Sequence, residues 1–334
     1  MKLSRIFYFI YYIKKLDKEK FYLFLNYAKN ETGKTKTTLL FDVLISVFIF
    51  NISILEYYQF RFFEKNKSER KKWAGTGFLY EYQLKMNPPN ARMILEDKIK
   101  FLNHFRPFIK RLYADLRILK TDHNLLNKLL ANSSNKLVLK GSRGQVGTEV
   151  EVISCKDYFP ATLIEYMLER KYDLAEEYVM QHPDLMALSP SGLNTVRIIT
   201  QLHEGNVDFL GARLRVSVNS PVDNMAAGNL AAFIDIDKGV VIGPGVYSDI
   251  TKEDMSVHPV TGEAITGFTI PYWNEVIALT RKAALHLPDN KSVGWDIAIT
   301  EEGPELIEGN HNWCKLLWQL PARKGLKKEL EKYL

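Results

Sequence analysis

The chain has 334 residues, 46% hydrophobic and 25% charged, a globular composition that excludes a disordered or low-complexity protein and allows two or three subdomains. Residues 1–130 hold 25 Lys+Arg against 12 Asp+Glu and the remainder 20 against 27, so a basic front precedes an acidic body within a net charge of +6. The front suits an anionic partner, a membrane surface or a nucleotide-linked substrate; no nucleic-acid motif is present, and two distant cysteines (Cys155 and Cys314) without CxxC fit a reducing cytoplasm.

Residues 6–13, after Lys2 and Arg5, mimic the start of a signal peptide, but no small-residue cleavage site follows and the chain turns basic at once. The aromatic run 7–12, flanked by Lys14 and Lys15, can lie on a bilayer or pack against the next helix. Residues 1–90 read as helical. Within them, the apolar stretch 39–55 is interrupted by Asp42, Ser46, Asn51 and Ser53. Asp42, Ser46, Ser53 and Glu56 fall on one helical stripe, so the segment 38–63 reads as a helix buried in protein rather than a membrane span.

Pro88-Pro89-Asn90 makes a stop, and a second helical stretch, 91–130, breaks near Pro107. From residue 135 the texture is strand-rich. Strands are predicted at 136–140, 148–153, 174–180, 195–202, 207–216 and 230–236, helices at 161–170 and 273–285, and a short amphipathic helix at 325–334. The class is α+β with antiparallel strands.

The strand 136–140 ends on Lys140 and runs into Gly141-Ser142-Arg143-Gly144-Gln145-Val146-Gly147, a glycine-rich loop able to cover phosphates with backbone N–H groups. No Gly-Lys-Ser/Thr or helix follows, so this is not a P-loop. An ordinary hairpin loop is the plain alternative. Asp97-Lys98 lies on the upstream helix, where a lysine is usually a solvated group. Glu176-Glu177-Tyr178-Val179-Met180 is a strand whose backbone can read an adenine edge, with Asp184 placed for a ribose. Arg213 and Arg215 are two apart and share a face of their strand, following Arg197 on the previous one.

The most informative segment runs from Gly294 to Asn310. Two apolar runs flank Glu301-Glu302-Gly303, a hairpin in which a three-residue loop pairs Thr300 with Pro304 and sets Asp296 opposite Glu308. Facing carboxylates repel unless a cation lies between them. Asn310 shares their face, opposite Gly294. A solvated acidic hairpin is the structural alternative.

The order of these features, from a helix lysine through a strand lysine with its glycine-rich flap and a Glu-containing strand to an Asp…Glu-x-Asn hairpin, resembles the ATP-grasp superfamily over residues 91–320. Several strings are similar to its sugar-transfer-associated family: Gln181-His182-Pro183, Leu193-Asn194-Thr195-Val196-Arg197, His258-Pro259-Val260-Thr261-Gly262, Ile270-Pro271-Tyr272-Trp273, Val293-Gly294-Trp295-Asp296-Ile297 and Glu308-Gly309-Asn310, with Leu55-Glu56-Tyr57-Tyr58 and Ser68-Glu69-Arg70 in the front.

The resemblance implies an ATP-grasp fold, two α+β subdomains clasping ATP (91–175 with the flap, 176–334 with the Mg²⁺ site), preceded by a helical region, 1–90. It implies a ligase that makes an acyl phosphate from ATP and passes the acyl group to an amine. Lys98, Lys140, Gly141, Ser142, Gly144 and Gly147 would hold ATP phosphates, Glu177, Tyr178 and Val179 the adenine, and Asp184 the ribose. Asp296, Glu308 and Asn310 would hold two Mg²⁺ ions. Arg197 or Arg213 would steady the acyl phosphate, and Arg215, Asn224 and His258 are substrate candidates, a structural role being the safer reading of His258.

Three features depart from the family pattern. Gly294-Trp295 stands where many relatives carry an arginine, Lys140 is followed by glycine rather than proline, and the helical front replaces an α/β domain. The family's link to polysaccharide synthesis suggests a hexuronic acid, free or on a uridine nucleotide, joined to an amino acid such as serine. Alternatives are activation of an amino acid for transfer to an amino sugar or peptide, and a non-catalytic scaffold. The expected location is the cytoplasm, with the inner membrane face an open contact.

Overall fold

The computed structural model describes residues 4–143 and 150–334. Four helices open the chain: α1 (Ser4–Lys14), α2 (Lys18–Thr32), α3 (Lys36–Phe50) and α4 (Ile54–Gln59). Local chemistry sets their ends. Asp17 and Thr35 accept N-terminal N–H groups of α2 and α3, and Gly33 closes α2 in the left-handed region (φ +67°). Asn51 (φ +58°) ends α3, and Ser53 with Glu56 forms a capping box that restarts the chain as α4. The expected single stripe is therefore split: Asp42 and Ser46 lie on α3, whereas Ser53 and Glu56 cap its successor. Nor is α3 wholly buried. Asp42 and Ser46 face inward to Arg70, while Phe41 is 66% exposed.

Two antiparallel sheets follow. The smaller has the order β1 (Tyr113–Asp115), β4 (Leu174–Glu177), β2 (Lys136–Lys140), β3 (Val150–Ser154). Strand β1 lies inside the stretch read as helical, because three residues are too few to carry a periodicity. The larger has the order β10 (Gly303–Asn310), β9 (Ser292–Thr300), β5 (Thr195–His203), β6 (Asn206–Val216), β7 (Leu230–Asp235), β8 (Val240–Val241). The strand expected to reach 180 stops at Glu177, and the C-terminal helix is confined to Lys327–Glu331.

One face of the large sheet is apolar. Val196, Ile198, Leu214 and Ile297 pack with Val276 and Ala283 of the helix Trp273–His286 and with Phe101 and Phe105 of the helix Lys98–His104 and its end. The opposite face carries arginines and carboxylates yet is also largely buried, since the front helix Thr76–Met86 and the C-terminal segment with Trp313 and Trp318 pack around Ile199. A buried charged sheet face must satisfy its charges internally or with a ligand.

Candidate active site

The hairpin β9–β10 delivers the facing carboxylates by a different route from the one expected. Glu301 and Glu302 make the turn, and Gly303 (φ +101°) already pairs with Thr300, one residue tighter than a three-residue loop. A bulge between Leu306 and Glu308 then restores the lost residue, so Asp296 faces Glu308 and Gly294 faces Asn310. Without the bulge, every side chain beyond Leu306 would point to the other face.

Across the sheet, the ladder places Glu308, Asp296, Arg197 and Arg213 in one row, with Thr195 and Arg215 two positions along the same strands as Arg197 and Arg213. Arg197 grips both oxygens of Asp296 through Nε and Nη2, the latter at 2.7 Å, and Arg215 Nη1 reaches Asp296 Oδ2 at 2.8 Å. The other arm of Arg215 pairs with Asp223 Oδ1 at 2.5 Å, and Asp223 Oδ2 accepts from the Thr195 backbone N–H and hydroxyl. Asn310 Nδ2 donates to Glu308 Oε1 at 3.1 Å.

Burial alone would raise the Asp296 carboxyl, but Arg197 and Arg215 hold it well below the usual range. Burial and the Asp296 charge opposite it raise Glu308 instead. Burial also pushes Asp223 up, since the Arg215 beside it is shared with Asp296. Two guanidiniums against three carboxylates leave an excess of negative charge, which a proton on Glu308 or an added cation can balance.

The donor set fits a hard cation. Glu308, the one acceptor site on Asp296 Oδ1 that the arginines leave, and the Asn310 carbonyl all offer oxygen, the ligand type that Mg²⁺ prefers. Among the described residues, no group of three or more His, Cys, Asp or Glu forms a metal cluster, so the set depends on Asn310 as its third member. Gly294 is required by its neighbours: a Cβ there would lie 2.8 Å from Trp313 Cβ and 3.2 Å from Arg197 Cδ. The absent side chain thus makes room for the Arg197 stem and Trp313.

Glu308 and Gly309 meet Lys98, Lys140 and Glu176 around one narrow cleft between the two sheets, closed by Leu95, Phe101 and Leu102. Lys98 begins its helix, with Asp97 as N-cap, and its Nζ donates to the Gly141 carbonyl at 2.9 Å. Its backbone N–H donates to the Ser142 carbonyl, so the start of the flap is pinned beside it. Lys140 Nζ pairs with Glu176 Oε1 at 2.9 Å.

Arg111 and the Glu176–Glu305 pair carry no role in the sequence reading, yet they join the sheets. Arg111 donates to Glu176 Oε2 and to Glu305 Oε1, both at 2.6 Å, with all three side chains nearly inaccessible. Burial opposes the Glu176 charge, but Lys140 and Arg111 overcome it and lower the carboxyl to about 2. The available signal was Glu176-Glu177 itself: on a strand, adjacent side chains point to opposite faces, so one of the two had to turn inward.

The remaining candidates disperse. Glu177 Oε2 accepts the Leu112 N–H, and Tyr178 follows on with Lys136 Nζ 5.2 Å from its ring centre. Val179 continues beyond β4, and Asp184, exposed on the short helix Pro183–Leu188, lies beside His182. Ser142 is held by Asp173 through its N–H and hydroxyl, whereas Gly144 and Gly147 lie outside the described residues.

Arg213 turns away from the cleft. Its guanidinium donates to the Trp318 and Ala212 carbonyls and lies 4.4 Å from the Phe233 ring centre. Asn224 caps a local turn through Ala226. His258 is buried, with Nε2 donating to the Ser217 carbonyl and Nδ1 accepting from Thr261, a structural arrangement.

A family model described as sugar-transfer associated ATP-grasp matches residues 78–333. No curated protein matches. Solved structures similar to the chain include D-alanyl-alanine synthetase A from Vibrio cholerae O1 biovar eltor (13% identity, 72% of this chain and 62% of that one, TM-score 0.42). Others are an L-amino acid ligase from Bacillus licheniformis (13%, 73% and 44%, 0.38) and a carboxyaminoimidazole ribonucleotide synthase from Aspergillus clavatus complexed with ATP (14%, 66% and 46%, 0.41). The chain spans less than two thirds of the length of each.

Proposed function

The chain belongs to the sugar-transfer associated ATP-grasp family, and from that premise we propose that it is an ATP-dependent carboxylate–amine ligase. A carboxylate oxygen attacks the γ-phosphorus of ATP, the bond to the β–γ bridging oxygen breaks, and ADP leaves. An amine then attacks the acyl carbon, loses a proton, and expels phosphate to give an amide. The observation that carries the reading is the convergence of Lys98 and Lys140 with Glu308 on one cleft, beside the Asp296–Arg197–Arg215 cluster.

Lys98 and Lys140 hold the ATP phosphates, and Glu177, Tyr178, Val179 and Asp184 receive the nucleoside. Asp296, Glu308 and Asn310 would hold Mg²⁺, which supplies charge neutralisation at the transferring phosphoryl group. Arg197 and Arg215 hold Asp296 ionised and keep positive charge next to the reacting oxygens. The activated acid is a hexuronic acid, free or on a uridine nucleotide, the amine is an amino acid such as L-serine, and the product serves capsular or exopolysaccharide synthesis in the cytoplasm.

The test is Mg²⁺-dependent ADP release across a matrix of uronic acids, their uridine diphosphate forms and amino acids. ADP formed with a uronic acid–amino acid pair, and lost in Glu308→Gln at unchanged melting temperature, supports the assignment. Release that no uronic acid stimulates would defeat the substrate class. Near-normal turnover in Glu308→Gln would defeat the metal site.

A further inference from the structure

Helix α3 of the helical front is apolar on both sides: Leu39, Val43 and Val47 are buried, and its outward side is apolar as well. On α3 the polar residues Asp42 and Ser46 point into the protein, where Arg70 donates to both Asp42 oxygens at 2.7 and 2.8 Å. The side facing out carries Leu40, Phe41, Leu44, Ile45 and Ile49, 39–66% exposed. Helix α1 continues the surface. It crosses the end of α3, with Phe9 and Phe48 rings 5.2 Å apart and Arg5 bonded to the Phe48 and Ile49 carbonyls. Ile6, Phe7, Ile10, Tyr11 and Ile13 of α1 are 41–65% exposed, and α2 adds Tyr22 and Leu23.

A contiguous apolar face of this kind is not expected against water. Its surroundings are basic. Residues 1–50 hold nine Lys+Arg against four Asp+Glu, and Lys14, Lys15, Lys18, Lys20, Lys29, Lys34 and Lys36 are all exposed. Among the described residues no helix is long and apolar enough to cross a membrane. At ~1.5 Å per residue α3 reaches roughly 22 Å against a hydrocarbon core of about 30 Å.

We propose that the α1–α3 face docks the protein in the plane of an anionic bilayer. Phe7, Phe41 and their apolar neighbours enter the headgroup–acyl boundary, and the surrounding lysines meet acidic headgroups. Charge selects this occupant over a second copy of the chain, whose own basic surface would be brought against this one. The inference is independent of the ligase chemistry.

The experiment is co-sedimentation of the full chain with phosphatidylglycerol–phosphatidylcholine vesicles and with pure phosphatidylcholine vesicles, at low and high salt. Binding is expected to the anionic vesicles, to weaken with salt, and to fall about tenfold or more in Phe7→Glu and in Phe41→Glu. Phe159→Glu, at a still more exposed aromatic just before the helix Pro160–Arg170, retains binding. Circular dichroism melting checks that the variants fold, with Phe41→Ser as a milder substitute.

Three results would each overturn the proposal. One is absence of binding to anionic vesicles at low salt. Another is binding undiminished in both glutamate variants. The third is a dimer in light scattering that Phe41→Glu dissociates while vesicles capture nothing, which would assign the face to a second copy.

Discussion

Glu176 is tied through Arg111 to Glu305 of the other sheet. Its side chain is 3% exposed, between Lys140 at 2.9 Å and Arg111 at 2.6 Å. The carboxyl falls from 4.5 to about 2: burial works against the charge, and the two cations more than compensate. A carboxyl lowered in the fold stabilises the protein fully above its unfolded value, and that stability is lost as pH falls through the folded one. At about 1.4 kcal/mol per pKa unit, the charge contributes on the order of 3 kcal/mol at neutral pH. Glu176→Gln keeps the volume and removes the charge. Urea denaturation followed by circular dichroism should find the variant less stable by roughly that amount at pH 7, with the gap closing between pH 4.5 and about 2. A gap equal at both ends of the window, or below about 1 kcal/mol at pH 7, would refute the claim that Glu176 is charged and buried between its cations.

Gly294→Ala drives a Cβ into Trp313 and the Arg197 stem, so stability should fall by about 1–3 kcal/mol and ADP release should fall with it; unchanged melting and kinetics would show that the row has slack. His258→Asn removes a buried bond to Ser217 and should cost about 1–2 kcal/mol in denaturation while leaving KM for ATP within about threefold. A selective loss of turnover without loss of stability would return His258 to the chemistry.

The facing of Asp296 and Glu308 was legible because a hairpin couples turn length to register, and two irregularities cancel: the turn is one residue short and the bulge after Leu306 adds it back. Periodicity alone could supply neither. The Arg111–Glu176–Glu305 bridge was illegible because its members are 65 and 194 positions apart and one of them precedes a three-residue strand. Helix α3 packs on the protein through Leu39, Val43 and Val47, as the reading of a helix against protein expects, but its outer side is exposed. Its polar stripe marked the buried side, since Arg70, 28 residues from Asp42, supplies the charge that lets an aspartate turn inward. A stripe read without its partner cannot say which side faces the protein.

The arginines show where face-sharing stops being informative. Arg213 and Arg215 do share a face, and Arg213 is directly opposite Arg197. Yet only Arg215 joins Asp296, because Trp318 covers the sheet above Arg213 and its carbonyl takes the guanidinium. No carboxylate pairs with Arg213 among the described residues, and burial lowers its affinity for a proton. It is a structural tie between β6 and the short helix Lys315–Gln319. Arg213→Met should therefore be less stable by about 1–3 kcal/mol, the cost of leaving the Trp318 carbonyl unpaired, while the folded variant keeps more than about a tenth of its turnover. Arg215→Met leaves Asp223 without its cation and removes one of two from Asp296, so its turnover should fall by a hundredfold or so, about 3 kcal/mol of transition-state stabilisation. Steady-state ADP release measured on both variants, each corrected for its folded fraction, separates the two. Equal losses would place Arg213 in the reaction after all, and would mean that Trp318 yields its hold when substrate enters.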